Sequence, residues 1–97
     1  MADDGEEARA RALALLEATH EFPCDYSLTV IALSRESTAD DLIRVMRHIE
    51  ESPSYSARPS AGGKYVSHKF SVRVSAAGQV LELYELVKTV EGVVTVL

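Results

Sequence analysis

The chain has 97 residues, 46% of them hydrophobic, and 15 acidic against 10 basic side chains give a net charge of −5. That length fits one small domain, and that apolar content argues against wholesale disorder. The negative charge works against a general binder of nucleic acid or anionic membrane, because long-range repulsion slows approach.

Residues 1–6 are acidic, and fraying is expected there. Glu7 to Thr19 is rich in Ala, Leu, Glu and Arg and predicts a helix whose narrow apolar stripe is Ala8, Ala12, Leu15 and Leu16. Pro23 stops it, with Phe22 anchoring the exit. Tyr26 to Leu33 alternates, with Leu28, Val30 and Ala32 on one face, and predicts a first strand. Thr38-Ala39-Asp40-Asp41 has the form of a capping box, and Ala39, Leu42, Ile43, Met46 and Ile49 follow at helical spacing up to Pro53. Tyr55 to Pro59 predicts a short second strand, which its proline places at an edge or a strand end. Lys64 to Val74 predicts the long third strand: Val66, His68, Phe70, Val72 and Val74 share one face, and Ser67, Lys69, Ser71 and Arg73 share the other. Ser75 is placed to cap a last helix with Val80, Leu83, Tyr84 and Val87 as its buried stripe. Gly92 ends that helix, and Val93 to Leu97 is a final strand.

The predicted class is therefore α+β: an extra N-terminal helix, then a ferredoxin-like β-α-β-β-α-β sandwich with an antiparallel four-stranded sheet and both later helices on one face. Residues 1–20 read as an acidic segment and helix, and residues 21–97 as a single domain. In that topology the last strand lies beside the first, so Leu97 is expected inside the structure. The opposite sheet face is left open, to be covered by the N-terminal helix, a second subunit or a ligand.

Charge is segregated along the chain. Residues 55–75 carry Arg58, Lys64, Lys69 and Arg73 and no carboxylate, whereas the rest is acidic. The small-residue turn Pro59-Ser60-Ala61-Gly62-Gly63 can expose backbone N–H groups to an anion, and the flanking cations strengthen it. Arg58, Ser60, Gly62, Gly63, Lys64 and Tyr65 are therefore the candidate ligand site. Ser67, Lys69, Ser71 and Arg73 are the candidate interface. An RNA-recognition sheet needs outward aromatic pairs, and Tyr65 stands alone while Phe70 points the other way by parity. His20, His48 and His68 fall on separate elements without metal-ligand spacing, so no metal or cofactor is expected. His68 is expected as a hydrogen-bonded core histidine. Cys24 has only Asp25 beside it, which disfavours a thiolate, and no nucleophile elbow is present.

Several separated motifs resemble the YbeD-like family of small uncharacterised bacterial proteins. They are Glu21-Phe22-Pro23 before the strand from Tyr26; Arg58-Pro59-Ser60 with Gly63-Lys64-Tyr65 and Ser67; Gln79-Val80 with Tyr84-Glu85; and the valine-rich end Val96-Leu97. The likeness covers roughly residues 20–97. It implies a sandwich similar to ACT domains, the amino-acid-sensing modules appended to metabolic enzymes, and it supplies no activity. Gly78 stands where the family tends to have an acid. Ala32 replaces a glycine usual near the end of the first strand, a departure that tells against amino-acid binding in the ACT manner.

The expected function is that of a non-enzymatic regulatory or interaction domain, binding a small anionic metabolite and self-associating as a homodimer. The alternative is a pure adaptor for an unidentified protein partner, with nucleic acid third. Apolar runs such as Ala12 to Leu16 are too short to span a bilayer, and the acidic Met1-Ala2-Asp3-Asp4 start is unlike a signal peptide. One cysteine excludes an intramolecular disulfide. A cytoplasmic location is the expectation.

Overall fold

The computed structural model describes residues 4–97. Its elements run α1 (Asp4–Thr19), β1 (Cys24–Leu33), α2 (Thr38–Met46), β2 (Ser54–Pro59), β3 (Tyr65–Val74), α3 (Ala77–Val87) and β4 (Val93–Val96). The four strands form one sheet in the order β2-β3-β1-β4 with every neighbouring pair antiparallel. This is the split β-α-β arrangement, repeated. No described helix is long and apolar enough to cross a membrane.

Alternation decides which side is covered. Leu28, Val30 and Ala32 of β1 and His68, Phe70, Val72 and Val74 of β3 are buried on one face. Leu42 and Met46 from α2, and Val80, Leu83 and Val87 from α3, close over them. Each such side chain contributes roughly 1.5–3 kcal/mol on burial. α1 joins the same side: Leu16 packs against the core, and Arg9 pairs with Glu85 of α3 at 3.7 Å. Among the described residues no helix covers the opposite sheet face.

Several local expectations are corrected. Fraying of residues 1–3 lies outside the described residues, and the chain is helical from Asp4 onward rather than from Glu7. The packed stripe of α1 is Ala12, Leu13 and Leu16, while Leu15 is 66% exposed and Ala8 is exposed. The stripe turned because α1 docks chiefly on α3, with Leu16 reaching the core cluster. β1 starts at Cys24, two residues early, and α2 stops at Met46, well before Pro53.

The capping box at Thr38 does not form. Ser37 is the N-cap, with helical backbone (φ −85°, ψ −10°), so no side chain folds back, and Thr38 is buried inside the first turn. Ser75 does not cap α3 by its hydroxyl either; the N-cap is Ala76. The side chain of Gln79 instead reaches back and accepts a 2.6 Å hydrogen bond from the Ser75 N–H. Ser75 lies one residue before the N-cap, so this bond ties the approach to the helix and not the N-cap N–H that a capping box would close on.

Leu97 is corrected as well. Its N–H and carbonyl pair with Thr29 at 2.8 and 3.2 Å, so its backbone belongs to the ladder, but its side chain is 71% exposed. Pairing with Thr29 places it on the bare face, where no helix covers it. Gly92 does not end α3, which stops at Val87 with Lys88 as its C-cap; it takes φ +92° at the turn into β4.

Candidate functional site

Register builds a grid on the bare face. Arg58 pairs with Ser67, Ser67 with Ile31, and Ile31 with Thr95. One row along, Ser56 pairs with Lys69 and Lys69 with Thr29, beside Leu97. Arg58 and Lys69 are thus diagonal neighbours on adjacent strands, within reach of one ligand for long side chains. They share a shallow depression of about 610 Å³ whose lining includes Thr29, Ser56 and Ser67, with Ile31 and Leu97 on its apolar side. No carboxylate side chain lines it. Among the described residues neither Arg58 nor Lys69 forms an ion pair.

The candidate ligand residues do not all converge. The hairpin turn spends its polar groups on itself: Ser60 N–H donates to the Tyr65 carbonyl at 2.8 Å, Gly63 N–H to the Ser60 carbonyl at 2.9 Å, and Tyr65 N–H to Ser60 Oγ at 3.1 Å. Gly63 has φ +75°, which lets the chain reverse there, and Gly62 faces open space. The Lys64 ammonium lies 5.4 Å from the Tyr65 ring centroid, a cation–π contact. Lys64 precedes β3 and lies outside the depression that Arg58 lines. Strand pairing thus groups Arg58 with Lys69, not with Lys64.

The four candidate interface residues do share the bare face. Lys69 and Arg73 are exposed there and Ser67 and Ser71 are half-buried. Arg73 already has a partner: its guanidinium meets Asp25 at 3.4 Å across the strand pair, while its backbone N–H donates to the Glu50 carboxylate. Their hydroxyl neighbours Ser27, Thr29, Ser54 and Ser56 give the face a polar, hydroxylated surface.

His68 is the hydrogen-bonded core histidine that its place on the apolar face of β3 predicts, but its partner was not foreseen. Tyr55 of the edge strand stacks on His68 (ring centroids 5.9 Å, 18° between planes) and hydrogen-bonds its Nδ1 at 2.8 Å, while Phe70 lies 4.9 Å from the same phenol ring. His68 is 4% exposed, and its Nε2 has no partner among the described residues. Burial lowers the His68 pKa. Burial, followed by the Asp40 carboxylate, raises that of Tyr55. The only signal in sequence was a histidine on an apolar face; its partner required the β2–β3 register, which pairs Tyr55 with Phe70. Under α3, Tyr84 and Tyr26 share a 2.9 Å hydroxyl contact, and burial followed by that hydrogen bond raises the Tyr84 pKa well above its ordinary value.

The comparisons with known proteins agree with this architecture. The family model described as "Protein of unknown function (DUF493)" matches residues 17–97, leaving most of α1 outside. A UPF0250 protein of Paraburkholderia phytofirmans is 30% identical over 71 residues, covering 70% of this chain and 80% of the relative. Another, of Edwardsiella ictaluri, is 31% identical over 78 residues, covering 79% and 90%. Among solved structures, protein HP0495 of Helicobacter pylori superposes with a TM-score of 0.65 at 20% identity, covering 80% of this chain and 85% of that one. The ACT domain of the GTP pyrophosphokinase of Chlorobium tepidum gives 0.59 at 12% identity, covering 75% and 94%. The last two likenesses speak to the fold alone. With the family model spanning the whole sandwich, this chain belongs to the DUF493 or UPF0250 family, the YbeD-like proteins of unknown function, and carries their ACT-like, ferredoxin-like fold.

Proposed function

We propose that the protein is a non-enzymatic regulatory or interaction domain that acts by association, and that a small anionic metabolite biases that association. The observation that supports this most is the one-sided shielding of the sheet. Three helices share one side, and the other presents unpaired cations among hydroxyl groups. A sheet face and two sheet edges without partners are ready pairing surfaces. Of the edges, β4 is the more open template: Val93-Val94-Thr95-Val96 has no charge and no proline, and Val94 is 56% exposed. β2 ends in Arg58 and Pro59, which blunt its far end. The ACT domain of the Chlorobium enzyme supports a regulatory role by analogy of fold, which is associational support.

Face-to-face stacking about a two-fold axis passing near these cations is disfavoured, because it would set the Arg58 and Lys69 of each copy against the other's. Self-association therefore runs through the β4 edge, extending the sheet across two copies. Native mass spectrometry of the full chain, with and without cell extract dialysed free of small molecules, tests the reading. A dimer, or a complex that shifts with the small-molecule fraction, is expected. A strict monomer with nothing bound in either sample contradicts it. A pure adaptor without a metabolite is the second reading, supported by the exposed Val94 and Leu97; it predicts a complex that the small-molecule fraction leaves unchanged.

A further inference from the structure

We propose that Arg58 and Lys69 bind the phosphoryl group of a small organic phosphate on the bare sheet face. This deepens the reading above, on which it rests for its regulatory meaning, by placing the anion away from the glycine turn and naming its chemistry. Three observations converge on it.

The two cations are diagonal neighbours on β2 and β3, on the same face and in the same depression. Neither is neutralised among the described residues, whereas the neighbouring Arg73 already has Asp25. Two cations lining one depression suit a dianion better than a monocarboxylate. The hydroxyls of Thr29, Ser56 and Ser67 ring the same depression. They supply neutral donors for the remaining phosphoryl oxygens, as serine and threonine hydroxyls can. Ile31 and Leu97 form an apolar side, and Leu97 is largely exposed there. An organic body attached to the phosphate covers them, so inorganic phosphate alone uses only half the site. The glycine turn lacks this convergence, because three of its N–H groups point inward to Tyr65 and Ser60.

The probes are phenyl phosphate, inorganic phosphate and benzoate, titrated separately into the isotope-labelled full chain and followed by amide chemical shifts. Phenyl phosphate is expected to shift the amides of residues 29, 31, 56, 58, 67 and 69. Inorganic phosphate shifts fewer of them and binds more weakly, and benzoate binds more weakly still. Arg58→Ala and Lys69→Ala each weaken phenyl phosphate roughly tenfold, the effect of losing one charge-assisted contact. The double variant removes binding, and Lys64→Ala leaves it unchanged. Shifts confined to residues 60–64, full affinity in the double variant, or equal affinity for benzoate would overturn the assignment. So would an oligonucleotide that binds at the same residues far more tightly than phenyl phosphate, with a steep salt slope; that result gives the face to nucleic acid. Subunit mass is measured on the same samples. Phenyl phosphate binding without any change in mass upholds this site and refutes the association reading alone.

Discussion

Leu42→Ala, set against Leu15→Ala, measures whether the helices pack as described. Leu42 on α2 is fully buried in the cluster with Val30, Phe70 and Val72, whereas Leu15 on α1 is two-thirds exposed. Replacing leucine by alanine removes three carbon groups, worth about 2.4 kcal/mol at roughly 0.8 kcal/mol each. The cavity left at a site closed by both sheet and helix adds to this, so a loss of about 3–4 kcal/mol is expected for Leu42→Ala. At Leu15 the transfer loss shrinks to well under about 1 kcal/mol, and the better helix propensity of alanine offsets part of it. Total stability for a domain of this size is about 5–15 kcal/mol, so the first variant consumes a large fraction. Urea unfolding followed by circular dichroism gives both values, provided the slope with denaturant stays constant. Equal losses for the two variants would refute the placement of α1 at the margin and α2 on the core.

The remaining expectations concern single positions. His68 is buried with its pKa lowered, so the unfolded chain takes up its proton first as pH falls. The stability this neutral ring supports is therefore full above about pH 6.5 and is lost as pH drops from there toward the lowered folded pKa. His68→Phe should flatten that part of the stability–pH curve, and an unchanged slope would show the ring to be solvated. Gly78 lies in the first turn of α3 with open space around an added Cβ, so Gly78→Ala is expected to raise stability by about 0.5–1 kcal/mol. A melting temperature at or below that of the unaltered chain would contradict the start of α3 at Ala77. Gly92→Ala should cost about 1–2 kcal/mol: its φ is +92°, and the new Cβ would sit 3.1 Å from Arg35 Cδ. Thermal unfolding reads this directly, and a neutral result would mean the turn relaxes to negative φ.

What could be read from sequence followed from periodicity and punctuation. The alternation from Val66 to Val74 gave β3 and its faces, and Pro59 at a strand end gave the edge position of β2. The helix order gave a sheet shielded by α2 and α3. The failures were of two kinds. At helix starts, local signals compete: Thr38 looked like a cap but was drawn into the first turn, and α3 starts after Ala76 with no side-chain cap, Gln79 bonding the Ser75 N–H instead. Along α1, Leu13 and Leu15 are equally apolar, and only docking on α3 decides which is covered. The candidate site shows the same limit. Sequence proximity joined Arg58 to Lys64, six positions away, but pairing of Ser56 with Lys69 joins Arg58 to a residue eleven positions away. Register is a property of two strands together, so one strand's pattern cannot supply it. His68 was expected as a hydrogen-bonded core histidine, and only its partner, Tyr55, escaped, for the same reason.

The most direct test of the one-sided sheet is solvent paramagnetic relaxation of methyl groups in a dilute, labelled sample of the full chain. Ile31 and Leu97 lie on the face without a helix, and Val30, Leu42 and Leu83 lie beneath the helices. Strong relaxation of the first pair with weak relaxation of the other three is the expected result. Ile31 and Leu97 protected to the level of Val30, with α1 contacts to them, would contradict the account.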